Sequence, residues 1–163
     1  FSAWQRCLPF PELAFLKMVD GLYRNGFSPT FIVLPDIVGA GDVSIKFSLS
    51  WLDRLGGGSL AFAVQNGVTP RDVESLCGLS LVRISHIFVG GTPEWKWDTV
   101  AEWKIFAHKN GLRCNVGQVG QIERLHYAKS IHVESGDSAS LARNNAWHLA
   151  EEFCDCKQER MFE

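Results

Sequence analysis

Long apolar runs are missing from this sequence. The longest clean ones span about five residues, as in Leu60-Ala-Phe-Ala-Val64, against the roughly 20 that a membrane-spanning helix needs. No basic segment followed by an apolar stretch opens the chain in the manner of a secretory signal. A surplus of positive charge is missing too. Sixteen Lys and Arg stand against 18 Asp and Glu, a net charge of −2. That excludes a generally basic nucleic-acid binder and leaves room only for a local basic patch. Paired cysteines are lacking: Cys7, Cys77, Cys114, Cys154 and Cys156 are odd in number and scattered. They read as reduced thiols of a cytoplasmic protein rather than a disulfide framework. Neither common Gly-rich phosphate loop occurs, nor an HExxH metal motif, nor a Ser in a GxSxG elbow.

What is present is an ordinary globular balance. Apolar residues make up 46% and charged residues 21% of 163, enough to build a core in one domain spanning residues 1–163. Five short apolar runs read as strands: Phe31–Leu34, Leu60–Val64, His86–Val89, Leu112–Val116 and Ser130–Val133. Their apolar character is continuous rather than alternating, which suits strands of a parallel sheet buried on both faces. Helical patterns fill the gaps. Val43, Phe47, Trp51 and Leu55 recur every four residues, before Gly56-Gly57-Gly58. Thr69-Pro-Arg-Asp72 is a helix start, with Thr as cap, Pro at the first helical position and Asp three residues after the cap. Further helices are expected from Glu12 to about Tyr23, around Val100–Ala107, around Ile122–Ala128, and from Asn145 through Phe153. Alternating strands and helices mean an α/β fold, either an open doubly wound sheet or a (β/α) barrel. A full eight-unit barrel typically needs about 250 residues, so five units would be an incomplete one with two exposed sheet edges. Dimerisation, giving a homo-oligomer, or an N-terminal segment is expected to cover those edges.

In parallel α/β folds, functional groups collect where strands end. The five exits read Pro35-Asp36, Gln65-Asn66-Gly67, Gly90-Gly91-Thr92, Gly117-Gln118 and Glu134-Ser135-Gly136-Asp137. Glycines or polar groups mark all five, although ordinary turns favour the same residues. An Asp carboxylate can act as a nucleophile at a glycosidic carbon. An Asp, a Gln and exposed backbone N–H groups match the donor–acceptor edge of a purine.

These exits resemble the tRNA-guanine transglycosylase superfamily, and most closely its phage and bacterial branch that inserts 7-deazaguanines into DNA. The matching stretches are Phe31–Asp36, Ala61–Pro70, Ile87–Lys96, Asn115–Val119 and Glu134–Asp137, in the family's order. The Gly-Gly-Thr-Pro-Glu-Trp-Lys run from Gly90 to Lys96 is the most specific. The resemblance implies a modified TIM barrel and a base exchange in an intact nucleic acid, DNA rather than tRNA. The partner bases are guanine and a free 7-deazaguanine; no cofactor, metal or membrane is expected. It implies Asp137 as the catalytic nucleophile of an Asp-x-x-Asp motif, with Glu134 as the other catalytic carboxylate, standing where the family has the motif's first Asp. Asp36, Gln65, Gly90 and Gly91 would hold the base, with Thr92, Trp95 and Gln118 beside them. Asn115-Val-Gly117-Gln118-Val119 departs from the branch's usual His-Val-Gly-Arg-Val and loses a positive charge. A further catalytic Asp and the first barrel strands are expected upstream of Phe1. The compartment implied is the cytoplasm of a bacterium or of a phage-infected cell.

Other residues divide between plain and functional roles. Trp51 and Trp103 fall on apolar helix faces and read as core. Trp95 either stacks on a base or covers the core. Arg124, Lys129 and Arg143 form a modest basic cluster that is either solvated or set to touch phosphates. His86 and His132 read as packed or exposed rather than catalytic. Cys154-Asp-Cys156 is half of a zinc ribbon at most, short of the four ligands a structural site needs. Two rival functions stay open: a non-catalytic relative that binds nucleic acid or free deazaguanine, and an unrelated TIM-type enzyme acting on a small phosphorylated metabolite.

Overall fold

The computed structural model describes residues 9–55, 58–138, 143–145 and 147. Among the described residues five α-helices alternate with five strands: α1 Glu12–Arg24, β1 Ile32–Val33, α2 Asp42–Leu49, β2 Leu60–Val64, α3 Pro70–Cys77, β3 His86–Val89, α4 Pro93–Lys109, β4 Arg113–Val116, α5 Ile122–Ser130 and β5 Ser135–Gly136. A 3₁₀ turn, Gly78–Arg83, leads from α3 to β3. The strands form one sheet in the order β1-β2-β3-β4-β5, every neighbour parallel. Because the order never reverses, right-handed crossovers carry successive helices to the same face. A doubly wound sheet needs a reversal, so the open doubly wound alternative does not describe this sheet. The sheet is curled into a half-barrel.

Strand register divides the side chains between two faces. Partners in a parallel ladder share a face and neighbours along a strand alternate. Ile32, Leu60, Phe62, Val64, Ile87, Val89, Cys114 and Val116 fall on one face and join the helices in the core. Val33, Ala61, Ala63, His86, Phe88, Asn115 and Ser135 fall on the other, concave face. Trp51 and Trp103 are both fully buried. The rings of Phe10, Phe15 and Phe47 meet Trp51 edge-on at 5.4 to 6.2 Å, a favoured aromatic geometry.

Helix ends follow their sequence signals. Thr69 and Asp72 form a reciprocal capping box at the start of α3, with Pro70 at the first helical position. Gly111, at φ +69°, closes α4: its N–H reaches the His108 carbonyl and the Leu112 N–H reaches that of Ala107. This is a Schellman stop, so Leu112 closes the helix and the strand begins at Arg113. The same motif overturns the expected strand Ser130–Val133. Ser130 is the last residue of α5, His132 takes φ +58°, its N–H reaches the Lys129 carbonyl and the Val133 N–H reaches that of Ala128. Ile131 and Val133 pack against the core as the apolar staple of that stop. The fifth strand lies further on, at Ser135–Gly136. Phe47 is half-buried, and Val43 is 54% exposed, so the four-residue stripe of α2 is buried only towards Trp51 and Leu55. Gly56-Gly57 and most of the helix expected over 145–153 lie outside the described residues.

Candidate functional site

The last ladder rung pairs Val64, Val89, Val116 and Gly136. The next residue on each strand is therefore Gln65, Gly90, Gly117 and Asp137. Backbone hydrogen bonds carry the ladder into this row: Gly90 N–H to the Val64 carbonyl at 2.9 Å, Gly117 N–H to Val89 at 3.0 Å and Asp137 N–H to Val116 at 3.2 Å. By alternation all four face the concave side. An amide and a carboxylate thus flank two glycines along one edge, at the carboxyl ends of the strands. Four strands spaced about 4.8 Å apart set the outer pair roughly 14 Å apart at the backbone. The glycines leave a slot whose floor is Phe88. A Cβ on Gly117 would lie 2.9 Å from Phe88 Cζ, and one on Gly90 would lie 3.8 Å from its Cε1.

Asp36 follows β1 at the same edge and is half-buried. Burial raises its carboxyl above the ordinary aspartate value, opposed by a backbone hydrogen bond. Gln65 is buried, and its Oε1 accepts the Gly39 N–H at 3.3 Å, tying β2 to the loop after β1. That leaves the Gln65 amide nitrogen as the donor end. Gly91 has φ +82°, and a Cβ there would come within 2.5 Å of Asn66 Oδ1 and 2.8 Å of Trp95 Cε3. Only glycine fits, because the backbone turns and the space is taken. Asn66 joins two exits: the Thr92 N–H donates to its Oδ1 at 2.8 Å and its Nδ2 donates to Thr92 Oγ1 at 3.0 Å. Thr92 caps α4 by position, while its side chain serves Asn66. Trp95 is half-buried beside Gly91 and Trp103, 6.5 Å between indole centroids, so it covers the core. Gln118 is exposed at φ +58°.

The structure brings Gln65, Gly90, Gly117 and Asp137 together and sends Glu134 elsewhere. Glu134 precedes Asp137 by three residues, roughly 10 Å along a strand and on the opposite face by alternation. Its Oε1 accepts a hydrogen bond from Lys104 Nζ on α4, and its Oε2 accepts the Cys114 N–H at 2.7 Å. Burial pushes the Glu134 carboxyl up, but Lys104 and the backbone donors outweigh it and hold it below the ordinary glutamate value. Glu134 thus meets Cys114 twice, its own N–H donating to the Cys114 carbonyl at 3.1 Å and its carboxylate accepting the Cys114 N–H.

The basic residues do not converge on the slot. Arg124 lies 5.6 Å over the Trp97 ring, in an open groove of about 420 Å³ between α4 and α5 that Glu94, Asp98 and Glu123 also line. Three carboxylates there oppose a phosphate. Lys129 lies in the last turn of α5. Arg143 is exposed, and among the described residues no hydrogen bond or ion pair ties it to a strand exit. His86 is buried against Phe31, 4.4 Å between ring centroids, with Nδ1 2.8 Å from Ser85 Oγ. Burial, then Arg113, lowers its pKa. His132 serves the helix stop. Among the described residues no cluster of three His, Cys, Asp or Glu could hold a metal, and no helix is long and apolar enough to cross a membrane. Cys154 and Cys156 lie outside them.

Two residues of the site carry no mark in the strand-exit pattern. Phe88 supplies the floor. Lys96, in the first turn of α4, is 1% exposed, and its Nζ donates to the Gly117 carbonyl at 2.5 Å. The signal for Lys96 was the spacing of Lys96, Val100, Trp103 and Ala107, a helical stripe of buried residues that begins with a cation. No family model matches the chain, and neither a curated protein nor a solved structure matches it significantly.

Proposed function

We propose that this chain carries the slot of a base-exchanging transglycosylase on a TIM-like partial barrel, acting on guanine in DNA with a free 7-deazaguanine as the second substrate. The observation that supports the reading is the single row of Gln65, Gly90, Gly117 and Asp137 at the carboxyl edge of the sheet. A planar base needs a gap without side chains, an amide at one end and a nucleophile at the other. Asp36, beside Gln65, supplies the acceptor for the base's N–H edge. In the first step an Asp137 carboxylate oxygen bonds to the sugar's anomeric carbon, and the bond to guanine N9 breaks with its electron pair. Guanine leaves and takes a proton from solvent. In the second step N9 of the deazaguanine loses its proton, bonds to the same carbon and displaces Asp137 as a carboxylate. Two displacements retain configuration, as in a retaining glycosidase.

Labelled guanine offered with duplex DNA, and separately with tRNA, tests this. Label entering DNA and absent with Asp137→Asn supports the reading; label entering tRNA alone reassigns the polymer. Label retained by Asp137→Asn overturns it. A second reading, a relative that binds the base without exchanging it, is favoured by Glu134, whose carboxylate is taken by Lys104 and the Cys114 amide. Saturable deazaguanine binding with no label in either polymer selects it.

A further inference from the structure

We propose that Lys96 is a positioning residue for Asp137, holding the β4 exit on which that carboxylate rests and favouring the free carboxylate over its glycosyl ester. The inference rests on the transglycosylase reading for its chemistry, though its geometry stands apart from it. Lys96 sits where a lysine is doubly disfavoured. It is fully buried, and removing an ammonium from water costs several kcal/mol unless it is compensated. It also lies in the first turn of α4, where the helix dipole repels a cation. Lys104, eight residues on along the same helix, is buried too but has Glu134 as a direct ion-pair partner. Among the described residues Lys96 has no such partner. Among the described residues its one acceptor is the Gly117 carbonyl, which engages one of three ammonium protons.

That carbonyl lies at the centre of the site. Asp137 is clamped on both sides of Gly117: its N–H donates to the Val116 carbonyl, and its own carbonyl accepts the Val119 N–H at 2.8 Å. The Asp137 Oδ1 comes within 3.3 Å of the position a Gly117 Cβ would take. Lys96 therefore fixes the one peptide over which the carboxylate lies. Charges on two other elements act on Lys96. Burial lowers the Lys96 pKa most; Asp137 on the β5 exit raises it, and Arg124 on α5 lowers it. The attraction between Lys96 and Asp137 exists only while Asp137 is charged. Esterification at the anomeric carbon removes that charge. A cation that attracts the carboxylate thus disfavours the covalent intermediate and speeds its breakdown.

Two measurements test this. The first needs no activity: the Lys96 Cε resonance is titrated by NMR in the ¹³C-lysine-labelled protein, with Lys96→Met identifying the signal. In Asp137→Asn, whose change is at an exposed side chain, the Lys96 midpoint should fall to lower pH. An unmoved midpoint overturns the inference whether or not the protein exchanges bases. The second is acid quenching during exchange, read on a denaturing gel. Lys96→Met should exchange about tenfold more slowly, equivalent to about 1.4 kcal/mol, with a larger share of protein trapped as the ester. Lys96→Arg, which keeps the charge, should restore part of the rate. A lower melting temperature with an unchanged trapped share would show a merely structural lysine. No exchange by the wild-type chain would instead sink the transglycosylase reading, leaving the NMR result to judge the pairing.

Discussion

The Asp137 carboxylate lies directly over Gly117, with Oδ1 3.3 Å from where that residue's Cβ would stand, and Phe88 Cζ lies 2.9 Å from the same point. Gly117→Ala therefore places a methyl between the slot's floor and its carboxylate. One of the two side chains must move. Overpacking of this kind costs about 1–3 kcal/mol. Displacing a reacting group by about 1 Å can cost about 100-fold in rate. The expected outcome is a folded protein, by circular dichroism, whose guanine exchange falls about 100-fold. Gly21→Ala is the control: nothing lies within 4 Å of its Cβ position inside α1. It should stabilise by about 0.5–1 kcal/mol and leave exchange unaltered. Full activity in Gly117→Ala would mean that the carboxylate over Gly117 is not the reacting one.

Asp36 should weaken the fold it serves. Its carboxyl is raised by burial above the ordinary value of 3.8, so the charged form is worse off folded than unfolded. The sign follows: the penalty is fully present above the folded pKa and disappears as the pH falls through it towards 3.8. Asp36→Asn removes the penalty. Its melting temperature should exceed that of the wild type at pH 7, and the gap should close on acidification. Base affinity should fall in the same variant. A gap that widens at low pH would reverse the assignment of burial as the dominant cause.

How much of this was legible in the sequence depended on side-chain pattern. β2 and β3 were readable to the residue because Leu60–Val64 and His86–Val89 are compact apolar runs. The capping box at Thr69 was readable because its chemistry is local. The true fifth strand, Ser135–Gly136, carries no apolar side chain, and the run before it is the staple of a helix stop closed by His132. The glycine and acid exits were visible one by one. Their alignment in one row was not, since it comes from long-range register. The same register separates Glu134 from Asp137, which the motif had joined. Lys96 was in view within Gly-Gly-Thr-Pro-Glu-Trp-Lys, but only the buried stripe of α4 shows that its ammonium turns inward.

Glu134 and Lys104 should act on stability with the opposite pH sense to Asp36. The Glu134 carboxyl is held below its ordinary 4.5. It therefore contributes stability that is present above that value and lost as the pH falls through the folded one. Glu134→Gln leaves Lys104 without its counter-ion and should cost about 1–3 kcal/mol at pH 7, with less loss of stability on acidification than in the wild type. Adding Lys104→Met should recover part of the loss, because the stranded ammonium is gone. Urea melts of the wild type and of both variants at pH 7 and pH 4 measure it. A double variant weaker than Glu134→Gln would show that the Lys104 stem, rather than its charge, carries the contact.

The two buried thiols among the described residues should be inert. Burial lifts Cys77 to about 11. Cys114 is lifted further, to about 12, by burial and then by the Glu134 carboxylate, with Lys104 opposing. The thiolate is the reactive species, and at pH 8 a thiol near 12 is ionised about once in ten thousand. Iodoacetamide on the native protein, followed by peptide mass mapping, should leave both unlabelled; urea should expose both. Glu134→Gln removes a carboxylate that disfavours the Cys114 thiolate, so any native labelling of Cys114 should be faster in that variant, with Cys77 unaffected. Cys77 ends α3 and Cys114 lies in an inner strand, so partial opening should label Cys77 first. Labelling of Cys114 alone would mean that β4 opens before α3, which a strand paired on both sides does not permit.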